Sequence, residues 1–397
     1  MDLKEESLKL HKENFGKLEV KSKVKIENQH DLSLAYTPGV AYACKEIEKN
    51  KDDAYVYTSK SNMVAVITDG SAVLGLGNIG PYAAIPVMEG KSILMKELAG
   101  VDSIPICLKT QNVEEIINTC KILEPTLGAI NLEDISAPRC VEIERRLIKE
   151  MDIPVFHDDQ HGTSIIVSAA FLNVARLTKR KLEDMTVVMS GTGAAGSQIA
   201  KMLKKIGVGK IYAYDITGVI DKKRYVEYNF LIRELLDEGV YSTPDNHDNT
   251  LKSILKGADA FVGVSAPNLV DKEMVKSMND GAIVFAMANP TPEISYDDAK
   301  EAGAYIVGSG RSDYPNQINN VLAFPGLFKG ALAVRARKIN EEMKLAAALA
   351  IANIITDDEL NPDYIVPNAF DKRVVPAVSK AVAQAAIDTD VARIKKY

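Results

Sequence analysis

A chain of 397 residues is long enough for two or three separately cored domains. Its 46% hydrophobic and 26% charged residues are those of an ordinary water-soluble globular protein and exclude a low-complexity or disordered one. A net charge of −6 with both signs interspersed leaves no basic field for nucleic acid or an anionic membrane, and no apolar run reaches membrane-spanning length. Cys44, Cys107, Cys120 and Cys140 form no C-x-x-C pair and read as reduced thiols, as in the cytoplasm. The opening Met1-Asp2-Leu3-Lys4-Glu5-Glu6 is acidic and leads into no apolar segment, so no secretory signal is expected.

Residues 1–30 are polar with two lightly apolar helical stretches, an arm expected to be disordered or packed on a partner subunit. Thr37 as N-cap and Pro38 at the first helical position predict a helix to about Asn50, with Tyr36 just outside its start. A strand is expected at 63–68, a glycine-rich turn at 73–80, and then a helix opened by Pro81 that carries Lys91. Further strands fall at 104–108 and 127–132, the second running into Glu133-Asp134. Between them Val113, Ile116, Ile117 and Cys120 mark one helix face, which Pro125 ends.

Residues 153–156 are a short apolar strand leading into His157-Asp158-Asp159-Gln160-His161. Gly162-Thr163-Ser164 reads as a turn and N-cap for a helix over 165–177. The adjacent acids are either a solvated cap or part of a metal site, since like charges so close need a cation or donors. A polar connector at 179–184 follows. Strands at 186–189, 211–214, 260–264, 282–287 and 305–307 then alternate with helices, and the chain is helical beyond Leu327 apart from a loop near 357–367. The predicted class is α/β: an N-terminal α/β domain over 1–160 for substrate and metal, and a Rossmann-type doubly wound parallel sheet with C-terminal helices over 161–397.

Three motifs carry chemistry. Gly191-Thr192-Gly193-Ala194-Ala195-Gly196 follows a strand and opens a helix, the arrangement that seats a dinucleotide diphosphate on backbone N–H groups. Asp215 closes the next strand, where an acid accepts the ribose hydroxyls. A second glycine pattern, Gly75-Leu76-Gly77-Asn78-Ile79-Gly80, lacks that downstream acid and reads as a tight turn permitting close backbone approach. Glu133, Asp134 and Asp159 leave two strand ends of one half, and an oxygen-only set selects Mg²⁺ or Mn²⁺. His157 and His161 have no suitably spaced third ligand and are expected to pack or hydrogen-bond instead.

These segments resemble the malic enzymes of the short bacterial type. The likeness is carried by S-L-A-Y-T-P-G-V-A at 33–41, V-L-G-L-G-N-I-G at 73–80 and I-P-V-M-E-G-K at 85–91. It extends through N-L-E-D-I at 131–135, H-D-D-Q-H-G-T at 157–163, A-N-P-T at 288–291 and N-N-V-L-A-F-P-G at 319–326. The resemblance implies oxidative decarboxylation of L-malate to pyruvate and CO₂, with decarboxylation of oxaloacetate as a further reaction, NAD or NADP as acceptor, Mg²⁺ or Mn²⁺, and a homodimer. It implies that Tyr36 and Lys91 are the acid/base pair, that Glu133, Asp134 and Asp159 hold the metal, and that Asn289, Asn319 and Asn320 contact ligands near the nicotinamide. One departure stands out: larger eukaryotic members carry a substrate-binding arginine before the L-G-L-G turn, where this chain has Ala72 and Val73. Lys91 as base requires a pKa lowered by burial or a nearby cation. Asp215 favours NAD, although Lys222, Lys223 and Arg224 could reach a 2′-phosphate.

Overall fold

Runs of four to six apolar residues between helices are too short for helices and bury on both faces as parallel strands. In the computed structural model, which describes residues 2–73 and 75–396, four such runs form the first sheet. These are β1 (Met63–Thr68), β2 (Asp102–Cys107), β3 (Ala129–Leu132) and β4 (Val155–His157), all parallel, in the order β2-β1-β3-β4. Central β1 is buried from Val64 to Thr68, whereas edge strand β2 tolerates Pro105, which has no N–H to offer a ladder.

The second sheet comprises β5 (Thr186–Ser190), β6 (Lys210–Asp215), β7 (Gly218–Val219), β8 (Ala260–Gly263), β9 (Ile283–Ala286) and β10 (Ile306–Ser309). Its order is β10-β9-β8-β5-β6-β7, parallel except that β7 folds back on β6. All nine expected strands are present with ends shifted by a residue or two; the two-residue β7 was not anticipated. The strand order reverses beside β5, which opens a ligand crevice at the carboxyl ends of β5 and β8. The helices Phe324–Ala333, Glu341–Ala352 and Val374–Asp388 pack on one another and complete the core that joins the two sheets.

Two expectations are corrected. The segment after β4 is not a loop: a single helix, Asp158–Thr178, begins at the first of the two acids. Both carboxylates occupy its first turn, where the positive end of the helix dipole favours them. Gly162, Thr163 and Ser164 lie inside this helix. Gly162 is there because a Cβ would strike Asp158 Oδ1 and come within 2.7 Å of the Asn320 Cβ, not because the chain turns. The second correction is that the helix expected from Pro38 starts at Val40 and runs to Lys49. Residues 36–39 instead make a tight turn after the helix Gln29–Ala35, with the Gly39 and Val40 N–H groups bonded back to the Ser33 and Tyr36 carbonyls.

The amino-terminal arm is ordered. Its helix Leu3–Asn14 buries nothing, but Lys17 anchors the arm to the helix Gly80–Ala99 through its backbone N–H on Glu89 Oε2 (3.0 Å) and its Nζ on the Pro86 carbonyl (2.8 Å).

Gly162→Ala is expected to lower stability by roughly 1–3 kcal/mol, the usual cost of overpacking a filled site. Urea unfolding measures this; a variant as stable as the parent would mean the helix shifts freely away from Asp158 and Asn320.

Candidate active site

β3 and β4 are neighbours in parallel register, with Leu132 opposite His157, so the residues that follow each strand emerge side by side. From β3 come Glu133 and Asp134, both buried, and from β4 come Asp158 and Asp159. Glu133, Asp134 and Asp159 each offer a carboxylate oxygen, and these oxygens lie within 4.8 Å of one another. Local bonds fix them. The Glu133 N–H donates to the Ile67 carbonyl of β1 (2.9 Å), and Asn131 Nδ2 donates to Glu133 Oε2 (2.7 Å). Asp134 takes a left-handed backbone, φ 53°, which turns its N–H onto Asp159 Oδ2 (2.8 Å). The Asp134 carbonyl accepts from Ala72 N–H (3.0 Å), so the segment before the glycine turn is tied by its backbone to this loop.

Lys91, on the helix Gly80–Ala99, reaches into the same cluster. Its Nζ lies 2.9 Å from Glu133 Oε1 and 2.6 Å from Asp158 Oδ2, and 4.5 Å from the centre of the Phe324 ring. Asn320 Nδ2 donates to the same Asp158 oxygen. Burial pulls the Lys91 ammonium down, but Asp158, Glu133 and Asp159 together outweigh it and hold the group above the ordinary lysine range. The lowered pKa expected for Lys91 is therefore not found in the chain alone, because three carboxylates converge on it. Burial in turn pushes the Asp158 carboxyl up to about 7, and raises Glu133 and Asp159 as well. Such a cluster is incomplete without further positive charge, and its all-oxygen donors fit a hard divalent cation.

The His161 ring is engaged elsewhere, whereas the buried His157 ring makes no hydrogen bond and its Nδ1 lies 3.8 Å from Asp159 Oδ2. His161 Nε2 lies 2.9 Å from Glu144 Oε2, while Glu144 Oε1 accepts the His157 backbone N–H (2.8 Å). Lys344, from the helix Glu341–Ala352, lies 3.1 Å from His161 Nδ1, so this buried chain ties the acidic turn to the carboxy-terminal helices. From sequence Asp158 was read with Asp159 as a cap or a metal group, not as the partner of Lys91, and Glu144 was given no role. The signal for Asp158 was its adjacency to Asp159; Glu144 gave none.

The remaining candidates divide. Asn320 joins the cluster, whereas Asn319 caps the short turn Asn320–Leu322 by accepting the Val321 N–H (3.0 Å). Asn289 lies across the cleft, where the turn at Gly75 approaches the backbone: a Cβ on Gly75 would sit 3.5 Å from the Asn289 carbonyl and 3.3 Å from Pro290 Cδ. The second glycine pattern is thus a close-approach turn, as read. Tyr36 is 67% exposed, and among the described residues no hydrogen bond joins it to Lys91.

In the second sheet, β5 leads into Gly191, at φ 106°, and the helix Ala194–Lys205 begins at Gly193 without a side-chain cap. Its first N–H groups are therefore available to a diphosphate. Gly196 must lack a side chain because a Cβ would strike the Gly191 carbonyl, and a Cβ on Gly193 would meet nothing within 4 Å. Asp215 at the end of β6 accepts from Thr192 Oγ1 (2.8 Å) and from the Thr217 N–H (2.8 Å) and Oγ1 (2.7 Å).

Residues 15–148 match the malic enzyme N-terminal domain, and residues 160–390 match the malic enzyme NAD binding domain. The chain belongs to the malic enzyme family. Among malic enzymes it is 56% identical over 394 residues to the bifunctional malic/malolactic enzyme of Bacillus subtilis, covering 99% of this chain and 95% of that one. It is 53% identical to the NAD-dependent malic enzyme of Geobacillus stearothermophilus, covering 95% and 78%. The malic enzyme of Pyrococcus horikoshii superposes with a TM-score of 0.93 at 44% identity, over 99% of this chain and 93% of that one.

Because burial raises Glu133 and Asp159, a metal bound by this malic enzyme family member must displace protons at lower pH. Apparent Mn²⁺ affinity is expected to weaken as pH falls, with proton release on binding. Calorimetry in buffers of different ionisation enthalpy checks both, and Asp159→Asn should weaken Mn²⁺ binding while the fold persists. PH-independent binding, or unchanged binding by that variant, would remove the acids as ligands.

Proposed function

We propose that the protein oxidises L-malate and decarboxylates it to pyruvate and CO₂, with NAD as hydride acceptor and Mg²⁺ or Mn²⁺ as the metal, and that it also decarboxylates oxaloacetate. The observation that carries this reading is the placement of Lys91 within hydrogen-bond reach of Glu133 and Asp158, beside the Glu133–Asp134–Asp159 oxygen set. Lys91 takes the C2 hydroxyl proton as C2 yields hydride. The bond between C3 and its carboxylate then breaks, CO₂ leaves, and the enolate gains a proton at C3. Asp158 and Asn320 hold the lysine in place throughout. A divalent cation on Glu133, Asp134 and Asp159 would polarise the substrate oxygens and offset the carboxylates that keep Lys91 protonated.

We assign metal and substrate to residues 1–160 and the dinucleotide to 161–397, dividing the chain in the first turn of the helix Asp158–Thr178. The cofactor choice is argued from Asp215, whose carboxylate would repel a 2′-phosphate. The nearest arginine is engaged: Arg224 gives Nε to Glu227 and Nη1 to the Thr217 carbonyl (both 2.9 Å). Relatives carrying either name, NAD-dependent at 53% identity and NADP-dependent at 46%, match the chain, so the site rather than the family sets the preference.

We favour a homodimer, and the amino-terminal segment supports that reading. Leu8, Phe15, Val24, Leu34, Tyr36 and Tyr42 are all exposed on it, and none of its first three helices buries a residue. Exposed apolar side chains in that number suit contact with a second copy. Tyr36, our assignment for the C3 proton donor, lies on it, so assembly determines what its hydroxyl meets. Among the described residues, no helix is long and apolar enough to cross a membrane.

Purified protein is expected to reduce NAD with L-malate and Mn²⁺ and to lose activity in chelator. Lys91→Ala should cost roughly 10²–10⁴-fold in kcat. Tyr36→Phe should slow exchange of the C3 protons of pyruvate in deuterated water more than it slows hydride transfer. Full turnover in chelator would sink the metal-dependent reading.

Asp215→Ser is expected to move the ratio of kcat/KM for NADP over NAD upward by about tenfold. A parent enzyme that already prefers NADP would reverse the assignment.

A further inference from the structure

Gly263 closes β8 and Ala286 closes β9, neighbouring parallel strands of the second sheet. Beyond them the ladder runs out, so the N–H groups of the loops that follow need other acceptors. The wholly buried Glu293 supplies them. Its Oε1 accepts the Ser265 N–H (2.8 Å) and its Oε2 the Ala288 N–H (3.1 Å), so one carboxylate spans the loops leaving both strands. The backbone tightens the same joint. The Asn268 N–H donates to the Pro292 carbonyl (3.1 Å) and the Val270 N–H to that of Glu293 (3.0 Å). Gly263 leaves the room this needs, because a Cβ there would strike the Glu293 carboxyl group. Burial pushes the Glu293 pKa up, and the donors from Ser265 and Ala288 pull against it. Only a carboxylate offers an acceptor to each loop.

The joint lies under the crevice at the carboxyl ends of the strands. Gly191 follows β5 and Asp215 ends β6, on one side of the point where strand order reverses. A dinucleotide with its diphosphate at Gly191 and its adenosine ribose at Asp215 must carry its other half the opposite way, over β8 and β9. Both loops held by Glu293 meet the walls of that path. Val264 abuts the diphosphate turn, where a Cβ on Gly191 would stand 2.9 Å from the Val264 carbonyl oxygen. Ser265 Oγ meets Ser190 Oγ at the end of β5 (2.7 Å). On the other loop Asn289 follows Ala288 directly and faces Gly75, in the turn that leads to the helix bearing Lys91.

We propose that Glu293 is a positioning residue for the nicotinamide half of the dinucleotide. Buried beneath the crevice, it touches no ligand; it clamps the loops after β8 and β9 into the ledge on which that half lies. The ledge in turn sets how far the hydride acceptor stands from the Lys91 cluster. This inference rests on the dinucleotide-linked oxidation proposed above.

Glu293→Gln keeps the side chain's shape and one acceptor, but aims an NH₂ group at one of the two backbone donors, so one loop must move. Calorimetry on the full chain compares NADH with ADP-ribose, which lacks the nicotinamide. NADH affinity is expected to fall about tenfold or more, the equivalent of one charge-assisted hydrogen bond, while ADP-ribose affinity stays within about twofold. In turnover, KM for NAD should rise while KM for L-malate holds. Gly263→Ala displaces the carboxylate without removing it; the same split is expected, and it decides the matter if Glu293→Gln fails to fold. Unchanged NADH binding, or equal weakening of both ligands, overturns the proposal. A parent that binds NADH without oxidising malate overturns the proposed reaction instead, and the binding comparison still decides the role of Glu293.

Discussion

The constraint on which this molecule turns is the gathering of four carboxylates, the buried Glu133, Asp134 and Asp158 and the half-buried Asp159, beside one ammonium, Lys91. Taking an ion out of water costs several kcal/mol even after relaxation, so such a group persists only where its partners are held in place. Much of the surrounding architecture does that holding. Asn131 reaches Glu133, the Asp134 N–H turns onto Asp159, and Asn320 joins Lys91 at Asp158. The first turn of a long helix gives both aspartates a favourable dipole. Positive charge is still in deficit, which is what a hard cation would supply in the proposed reading.

The site is also an assembly of distant chain segments. Lys91 arrives on the helix after the glycine turn, the acids arrive from two adjacent strand ends, and Asn320 and Phe324 come from beyond the second sheet. Chemistry at the lysine therefore depends on how the two sheets are docked, and the shared core that fuses them is part of the catalytic apparatus in a mechanical sense.

Local signals in the sequence were reliable where the physics is local. Strands announced themselves as short apolar runs, the strand–turn–helix at Gly191 by its glycines, and the meeting of Glu133, Asp134 and Asp159 by their standing at strand ends. Where long-range contacts decide, the reading went astray. Gly162 resembles a turn residue, but its smallness answers to Asp158 and Asn320, the latter 158 positions further along. The upward pull on Lys91 needs three carboxylates that only the fold brings together. The surroundings of Tyr36 depend on a surface that one chain leaves open.

The helix Asp158–Thr178 is the chain's splint: its amino end presents the acids, and its flanks pack against the nucleotide helix Ala194–Lys205 and against Glu341–Ala352. The two family-matched segments end at 148 and begin again at 160, so Asp158 and Asp159 belong to neither. Severed there, the first half keeps Glu133, Asp134 and Lys91 without the partners that make them a site, and the second keeps a dinucleotide cradle with nothing to oxidise. The halves can therefore be exchanged between homologues only if the crossover spares the stretch from β4 to the end of this helix. Within that stretch, recombination would split the helix and the site with it, which makes the stretch itself the indivisible heritable unit.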